Sequence, residues 1–245
     1  MDYKDLMELF KERRTNRDVK PDPVADELVE KVLEAARWAP SGFNMQPWEF
    51  VVVRDPELRA GLVSIVNDYR INQFFMFEAT REAWQGPRWQ PDPEQGFLMA
   101  NAPVQILILG DTRTQVGLPM AARYTDQKKV SIFESSLANA FMYMMLAATS
   151  LGLASYWVSA AKMPTVNAKL RELLGTIPMH MEIYDIFCMG YANSQPGPKL
   201  FRKKSSMVHY DYCGPDEFGS DEETLEWVTR NRLQIIQRVE NAQVD

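Results

Sequence analysis

The chain has 245 residues and a mass of 28.2 kDa, enough for one large domain or two small ones. Its net charge of −6 argues against a nucleic-acid-binding surface, which would be basic. With 46% hydrophobic and 24% charged residues the composition is globular, and no run approaches the roughly eighteen uninterrupted apolar residues of a membrane span.

The N-terminus and the cysteines indicate a cytoplasmic protein. The stretch MDYKDLMELFKERR has no apolar signal core. Cys188 and Cys213 form no C-x-x-C motif, which is typical of inert thiols in a reducing compartment. His180 and His209 keep no ligand spacing to a cysteine or a paired acid, so the sequence predicts no metal site.

The N-terminal part of the chain predicts three helices, a strand and a lid. Apolar residues recur at helical spacing over 2–12 and 25–39. A strand over 48–53 follows, and proline opens a helix predicted over 56–66. Residues 67–97 are rich in aromatics and interrupted by Gly-Pro and Pro-Asp-Pro, which predicts a mobile active-site lid. The alternative is that these aromatics fill a second small core.

Long helices and widely separated strands make up the rest of the chain. A nearly all-round apolar pattern over 131–152 predicts a helix that runs through the core. The other predicted elements are strands over 102–110, 153–160 and 182–191 and helices over 163–175 and 221–233. This mixture predicts a single α+β domain over 1–245, with residues 234–245 as a C-terminal arm.

Three arginines lie within five residues in ERRTNR, Glu12 to Arg17. Arginine forks bind phosphate in a bidentate way, so Arg13, Arg14 and Arg17 are candidates for an anion site. The alternative is a solvated charge run at the C-terminal end of a helix, where cations are favourable in any case.

The turn APSGFNMQPW, Ala39 to Trp48, is unusually polar for a helix-to-strand connection. Proline and glycine break the helix, while Ser41, Asn44 and Gln46 carry both donors and acceptors. A flat heteroaromatic ligand with alternating donors and acceptors on its edge would match this set. The alternative is an Asx-type turn that caps a helix.

Two further segments carry candidate polar groups. The strand end ASYWVSA places Ser155 and Ser159 on one side of a regular strand, although it also fits a core strand with Trp157 packed inside. The second is PKLFRKK, Pro198 to Lys204, which is another concentrated cation run or a solvated basic patch. The sequence has no G-x-S-x-G, G-x-x-x-x-G-K or G-x-G-x-x-G motif, so neither a protein nucleophile nor a phosphate loop is indicated.

Four segments, in their order along the chain, resemble the nitroreductase family of flavin-dependent oxidoreductases. They are RRTNR (13–17), APSGFNMQPW (39–48), SLANAFMYMMLAATSLGLASYW (136–157) and RKKSSMVHY (202–210). The resemblance covers nearly the whole chain. It implies a nitroreductase-like α+β fold, with a central mixed or antiparallel sheet surrounded by helices, and an intertwined homodimer that holds FMN in two sites at the subunit interface.

The resemblance also implies which residues bind the cofactor. They are Arg13, Arg14, Thr15, Arg17, Pro40, Ser41, Asn44, Gln46, Trp157, Val158, Ser159, Arg202 and Lys203. Arg13, Arg17 and Arg202 would share the phosphate, and Arg14 and Thr15 would reach the pyrimidine edge. The polar turn would line the isoalloxazine ring, with its serine and asparagine contributed by the partner subunit.

A hydroxyl-bearing residue at the strand exit resembles a feature of the branch of the family that contains iodotyrosine deiodinase. In that branch a hydroxyl at the strand exit contacts flavin N5, and Ser159 falls at this position as the candidate catalytic residue. Such a contact favours one-electron steps. In the predicted lid, Trp84, Arg88 and Trp89 are the candidate substrate contacts, with rings that stack on an aromatic acceptor and a cation that faces its anionic group.

The implied function is an FMN-dependent oxidoreductase. It would pass electrons from NAD(P)H or another donor to a small aromatic or conjugated acceptor of the nitroaromatic or quinone type. The alternatives are a reductive dehalogenase of a halogenated aromatic and a non-catalytic or flavin-consuming FMN-binding protein.

Overall fold

The computed structural model describes residues 2–79, 98–175, 177–197, 199–211, 214 and 217–230. The chain divides into two compact units. One comprises Met1–Asn72 and Pro93–Pro196, and the other comprises Gln73–Asp92 and Gly197–Asp245. The first unit contains the β-sheet.

The secondary structure follows the predicted order. The helices are α1 (Tyr3–Glu12), α2 (Asp26–Arg37), α3 (Pro56–Ala79), α4 (Met120–Arg123), α5 (Asp126–Ser150) and α6 (Pro164–Leu173), and residues 221–230 are also helical. The strands are β1 (Trp48–Val53), β2 (Val104–Asp111), β3 (Ala154–Val158) and β4 (Met181–Gly190). The N-terminal end of α1 is fixed by a capping box, in which the carboxylates of Asp2 and Asp5 accept from each other's backbone N–H.

The four strands form one antiparallel sheet in the order β1-β2-β4-β3. The predicted α+β class with a central mixed or antiparallel sheet is therefore confirmed, and the described sheet is antiparallel throughout. Since β3 is the outermost strand and ends at Val158, Ser159 lies just beyond the sheet, at the strand exit.

Helices cover both faces of the sheet. Ile106 and Ile108 of β2 pack on the side of α2 and α5, whereas Leu107 and Leu109 pack on the side of α3 and α6. This alternation is the two-residue period of a β-strand. Because both faces are buried, β2 reads in the sequence as a nearly continuous apolar run.

A β-bulge interrupts the alternation in β4. Ile108 of β2 pairs with Asp185, and the next residue, Leu109, pairs with Ile183. Tyr184 is therefore an extra residue without a pairing partner in β2. Tyr184 accordingly packs on the α5 side, although Ile186, two residues further on, packs on the opposite side. Asp185 also reaches the α5 side, where it accepts from the indole of Trp157.

Helix α3 is longer than predicted. The prediction that it ends at residue 66 is wrong, because the helix continues over 67–79, the first part of the predicted lid. Val66 is buried and Tyr69 packs against the same core cluster. The sequence contains no glycine or proline between Gly61 and Gly86, so nothing in this stretch ends a helix.

Helix α5 passes through the core. Its buried residues are Phe133, Ser136, Leu137, Ala140, Phe141, Met144, Met145 and Ala148. Among the described residues, α5 is the one helix that is long and apolar enough to cross a membrane by length and composition alone. Its buried positions recur every three or four residues and face α2 and the sheet, which is the pattern of a core helix.

Candidate functional site

The backbone of the arginine-rich segment is fixed beside the beginning of β3. Thr15 forms a parallel bridge with Ser155 of β3, and the backbone N–H of Asn16 donates to the carbonyl of Ser155 at 3.2 Å. The buried side chain of Asn16 donates to the carbonyl of Ser194 at 2.7 Å, and Asp18 accepts from the Ser194 hydroxyl. The segment therefore presents its arginines from an anchored backbone.

These arginines form a cluster of positive charge. Arg13 and Arg14 are half-buried, Arg17 is exposed, and none of the three is paired with a carboxylate in the part of the chain that the structure describes. Burial and the nearby charge of Arg14 lower the pKa of Arg13. Arg70 of α3 joins the cluster, since burial and Arg17 lower its pKa. Such a concentration of like charge favours a bound anion.

The polar turn is anchored to α5 rather than to β3. Ser136 accepts from the backbone N–H of Gly42 at 3.1 Å, and the amide of Asn139 donates to the carbonyl of Pro40 at 3.0 Å. Within the turn, the Ser41 hydroxyl accepts from the backbone N–H of Gln46 at 3.0 Å. The structure thus brings the arginine segment to the beginning of β3 and the turn to the middle of α5.

The turn has a strained backbone. The φ angles of Phe43, Asn44 and Gln46 are 53°, 52° and 45°, in the left-handed region that residues other than glycine rarely adopt. The amide of Gln46 donates to Asn44 at 2.9 Å, which supports this conformation. Strain of this kind persists only where surrounding contacts impose it, and it occurs often at ligand-binding sites.

Gly42 allows the turn to approach α5 closely. A Cβ at this position would lie 2.3 Å from Cγ2 of Ile132, a β-branched side chain that cannot rotate away freely. Gly42→Ala should therefore lower the free energy of unfolding by about 1–3 kcal/mol in a urea titration. Gly117→Ala is the matched control, because a Cβ there meets nothing within 4 Å. Equal effects of the two substitutions would contradict the close approach.

The exit of β3 combines a packed ring with an exposed hydroxyl. Trp157 stacks on Phe141 with 3.8 Å between ring centroids, and its indole N–H donates to Asp185 at 2.6 Å. Its ring belongs to the core, as the alternative interpretation of this strand predicted. Val158 is buried on the opposite side of the sheet, whereas Ser159 is exposed.

Asp185 should make folding pH-dependent. Burial raises the pKa of its carboxyl from 3.8 to about 6. Between these values the folded protein keeps a proton that the unfolded chain has lost, so its contribution stabilises the fold at low pH and disappears as the pH rises through about 6. The free energy of unfolding should change by at most about 3 kcal/mol through this group over that pH range. Asp185→Asn should remove this slope from denaturation midpoints measured between about pH 4 and 7, and parallel profiles would contradict it.

Arg202 and Lys203 lie in the second compact unit. Arg202 is exposed and donates to the backbone carbonyl of Ser206 at 3.2 Å. Both line a concavity of about 430 Å³. Its lining also includes Arg230, the rings of Phe201 and Trp227, and the carboxylates of Glu223 and Glu226. Cations and rings together suit an aromatic anion, but the two carboxylates oppose one.

Some predicted residues lie outside the described part of the chain. They are the candidate substrate contacts Trp84, Arg88 and Trp89, the lid residues 80–97 and the arm 234–245. Sequence reasoning in turn missed Arg70 and Asp185. Neither lies in a motif, and only the packing of α3 and the pairing of β4 with β3 bring them to the other site residues.

An antiparallel sheet between two helical layers, with an arginine cluster beside the edge strand β3, defines an α+β protein with a candidate anion site. The model of the nitroreductase family matches residues 10–191. The chain therefore belongs to the nitroreductase family, and the resemblance drawn from its four segments is confirmed.

Several characterised or named proteins are similar to this chain. A protein of Archaeoglobus fulgidus with the provisional name NADH dehydrogenase/NAD(P)H nitroreductase is 27% identical, over 78% of this chain and 87% of its own length. Iodotyrosine deiodinase 1 of Rattus norvegicus is 28% identical, over 85% and 70%. 5,6-Dimethylbenzimidazole synthase of Rhodospirillum rubrum is 30% identical, over 79% and 85%.

The fold is also similar to that of solved structures. An FMN-dependent nitroreductase of Clostridium difficile superposes with a TM-score of 0.60 at 23% identity, covering 84% of this chain and 99% of the other. At this identity the likeness concerns the fold. It agrees with the arrangement of sheet and helices described above.

Proposed function

We propose that this chain is a cytoplasmic FMN-dependent oxidoreductase that passes electrons from NAD(P)H or another donor to a small aromatic or conjugated acceptor, of nitroaromatic or quinone type. The observation that carries the proposal is the arginine cluster of Arg13, Arg14 and Arg17, which lacks carboxylate partners among the described residues and is anchored to β3 at Ser155. Membership of the nitroreductase family and the FMN-dependent relative support it.

The donor set of the first unit fits FMN. Arg13 and Arg17 would bind the phosphate and ribityl region. Arg202 and Lys203, which belong to the second unit, are separate candidates for a phosphate ligand. Arg14 and Thr15 would reach the pyrimidine edge, where positive charge stabilises the reduced cofactor.

The strand exit and the polar turn complete the proposed pocket. Val158 and Ser159 would border the ring at the exit of β3, supported from behind by Trp157. Pro40, Ser41 and Asn44 would line the ring, Ser41 and Asn44 from the partner subunit, and Gln46 is a further cofactor-binding candidate of the same turn. FMN supplies the redox chemistry when bound, whereas these residues orient it and exclude water.

The proposal is tested with purified protein. Flavin absorbance, present on purification or gained when FMN is added, is expected. Steady-state oxidation of NAD(P)H should then depend on a nitroaromatic or quinone acceptor in a ping-pong pattern. A protein that neither contains nor gains flavin would contradict the proposal. Bound flavin without turnover would instead indicate a non-catalytic binder, and loss of intact flavin during turnover would indicate a flavin-consuming enzyme.

Reductive dehalogenation is a second candidate function. It is favoured by the exposed hydroxyl of Ser159 at the strand exit and by the 28% identity to iodotyrosine deiodinase 1 over 85% of this chain. An anaerobic assay with halogenated phenols beside nitroaromatics separates the two. Release of halide that Ser159→Ala abolishes, with nitro reduction retained, would favour the dehalogenase.

The proposed enzyme is a homodimer with α5 at its interface. The outward side of α5 exposes Met142 and Tyr143, and α1 exposes Tyr3 and Phe10, apolar surface that a second copy would cover. We expect a dimer mass at low micromolar concentration by analytical ultracentrifugation and a shift to monomer in Tyr143→Glu. Val116→Glu, on a more exposed apolar residue elsewhere, is the control. A monomeric wild-type protein would contradict this.

A further inference from the structure

Asp185 is a buried acid in an apolar strand. It is 7% exposed, whereas the residues after it in β4, Ile186 to Met189, are fully buried and apolar. An ionised carboxylate in such a place is unfavourable unless specific donors surround it. Its partners therefore indicate what it does.

The donors to Asp185 come from both sides of Ser159. The indole N–H of Trp157, two residues before Ser159, donates at 2.6 Å. The backbone N–H of Ala161, two residues after Ser159, donates to the same carboxylate. One acceptor thus holds the strand end and the following loop on either side of the hydroxyl.

The register between β3 and β4 gives Asp185 this position. Val158 pairs with Ile186, so continuing the antiparallel register by one residue sets Asp185 across from Ser159. Asp185 alternates in phase with Phe187 and Met189, which pack on the α5 side of the sheet, where the ring of Trp157 lies. The bulge brings the extra residue, Tyr184, to the same side.

We propose that Asp185 is a positioning residue that holds Trp157 and Ala161 and thereby orients the hydroxyl of Ser159 in the cofactor pocket. The role rests on the proposed function, because it requires FMN beside Ser159. It adds to that function a residue that touches neither cofactor nor substrate and acts through Ser159.

The groups around Asp185 set the pH at which it holds the loop. They are Trp157 of β3, the loop residues Ala161 and Lys162, Glu134 of α5 and the adjacent Tyr184. Burial raises the pKa of Asp185 to about 6, the hydrogen bonds from Trp157 and Ala161 and the charge of Lys162 lower it, and Glu134 raises it. Lys162 is itself fixed by an ion pair with Glu134 and lies 4.8 Å from the centroid of the Tyr184 ring. The loop should therefore loosen as the pH falls through about 6.

The test measures acceptor turnover by the FMN-loaded protein. Asp185→Asn should lower kcat about tenfold, since a charged hydrogen-bond acceptor is lost, while KM for the donor stays nearly unchanged. In a Ser159→Ala background the same change should have little further effect, because Asp185 acts through that hydroxyl. Ser155→Ala is the matched control, a buried hydroxyl on the same strand without a hydrogen-bond partner in the described structure.

A pH titration gives a second, independent readout. The wild-type rate should fall below about pH 6, and the Asp185→Asn rate should not. Trp157→Phe, which removes the indole donor, should move the midpoint up, and Glu134→Gln, which removes a nearby negative charge, should move it down. The indole N–H resonance of Trp157, followed by NMR in flavin-free protein, should titrate at the same midpoint.

The outcomes separate this role from the proposed function. Wild-type protein that binds no FMN would overturn both. The role of Asp185 alone would be overturned if the wild-type protein binds FMN and turns over, but Asp185→Asn lowers kcat by the same factor in the wild-type and Ser159→Ala backgrounds. The role of Asp185 would also be overturned if the indole resonance of Trp157 titrates but the turnover rate does not change with it. It would likewise be overturned if Asp185→Asn keeps the wild-type rate and its pH dependence.

Discussion

Replacing both Arg13 and Arg17 by alanine should weaken FMN binding by about two orders of magnitude or more. Charge-assisted hydrogen bonds contribute roughly 1.5–3 kcal/mol each, and every 1.4 kcal/mol corresponds to a factor of ten. Both arginines extend from a backbone segment held by Thr15, Asn16 and Ser155, so their removal should leave that segment in place. Quenching of flavin fluorescence on titration with apoprotein measures the dissociation constant.

The controls separate the arginine forks from general positive charge. Arg113→Ala removes a surface arginine whose guanidinium is held by Asp111 at 2.7–3.1 Å, and it should not change the affinity for FMN. Arg17→Lys keeps the charge without the bidentate fork and should give an intermediate affinity. The double variant should not be less stable than wild type without flavin, because burial and Arg14 already disfavour the charge on Arg13. Unchanged affinity in the double variant would refute the assignment.

The order and type of the elements could be read from the sequence because their patterns are local. The alternation of Ile106, Leu107, Ile108 and Leu109 between two cores makes β2 uniformly apolar, and a short apolar run of this length reads as a buried strand. The end of α3 could not be read in the same way. Its aromatic residues after Val66 are compatible with helix and loop alike, and neighbouring structure decides between them.

The site could be predicted only where its residues are close in sequence. RRTNR and APSGFNMQPW carry their donors within a few residues, so composition alone indicates a binding function. The bonds that anchor the turn come from Ser136 and Asn139, more than ninety residues away, and no local pattern identifies them. Arg70 is also remote from Arg17 in sequence, and its contribution to the cluster depends on how α3 packs.

Asp185 shows a different limit of sequence reasoning. An isolated acid in EIYDIFCMGY would be assigned by strand alternation to the face opposite Tyr184. Asp185 keeps the alternation of Phe187 and Met189, which face α5, and the bulge brings Tyr184 to that side as well. A one-residue irregularity in pairing therefore places two neighbouring side chains on one face of the sheet, which strand alternation alone does not predict.

Phe141→Ala should lower the free energy of unfolding by about 3–5 kcal/mol, the largest loss of stability expected here. Phe141 is fully buried, lies 3.8 Å from the ring of Trp157 and meets the edge of Phe187 at 5.4 Å. Its removal leaves a cavity that the surrounding α5 and sheet residues cannot fill completely. Phe141→Leu should cost less, about 1–1.5 kcal/mol, because most of the buried volume is kept.

Phe141→Ala should also weaken FMN binding, because Trp157 loses the ring against which it stacks. The exit of β3 then loses its support. Phe133→Ala separates this effect from instability. Phe133 is equally buried on α5 but lies against Gly110 rather than Trp157, so its loss should destabilise the fold to a similar extent and leave FMN affinity nearly unchanged. Denaturant titration and flavin fluorescence on both variants give the comparison. If both variants lose FMN affinity in proportion to their stability, the stack on Trp157 supports the fold alone and has no separate influence on the site.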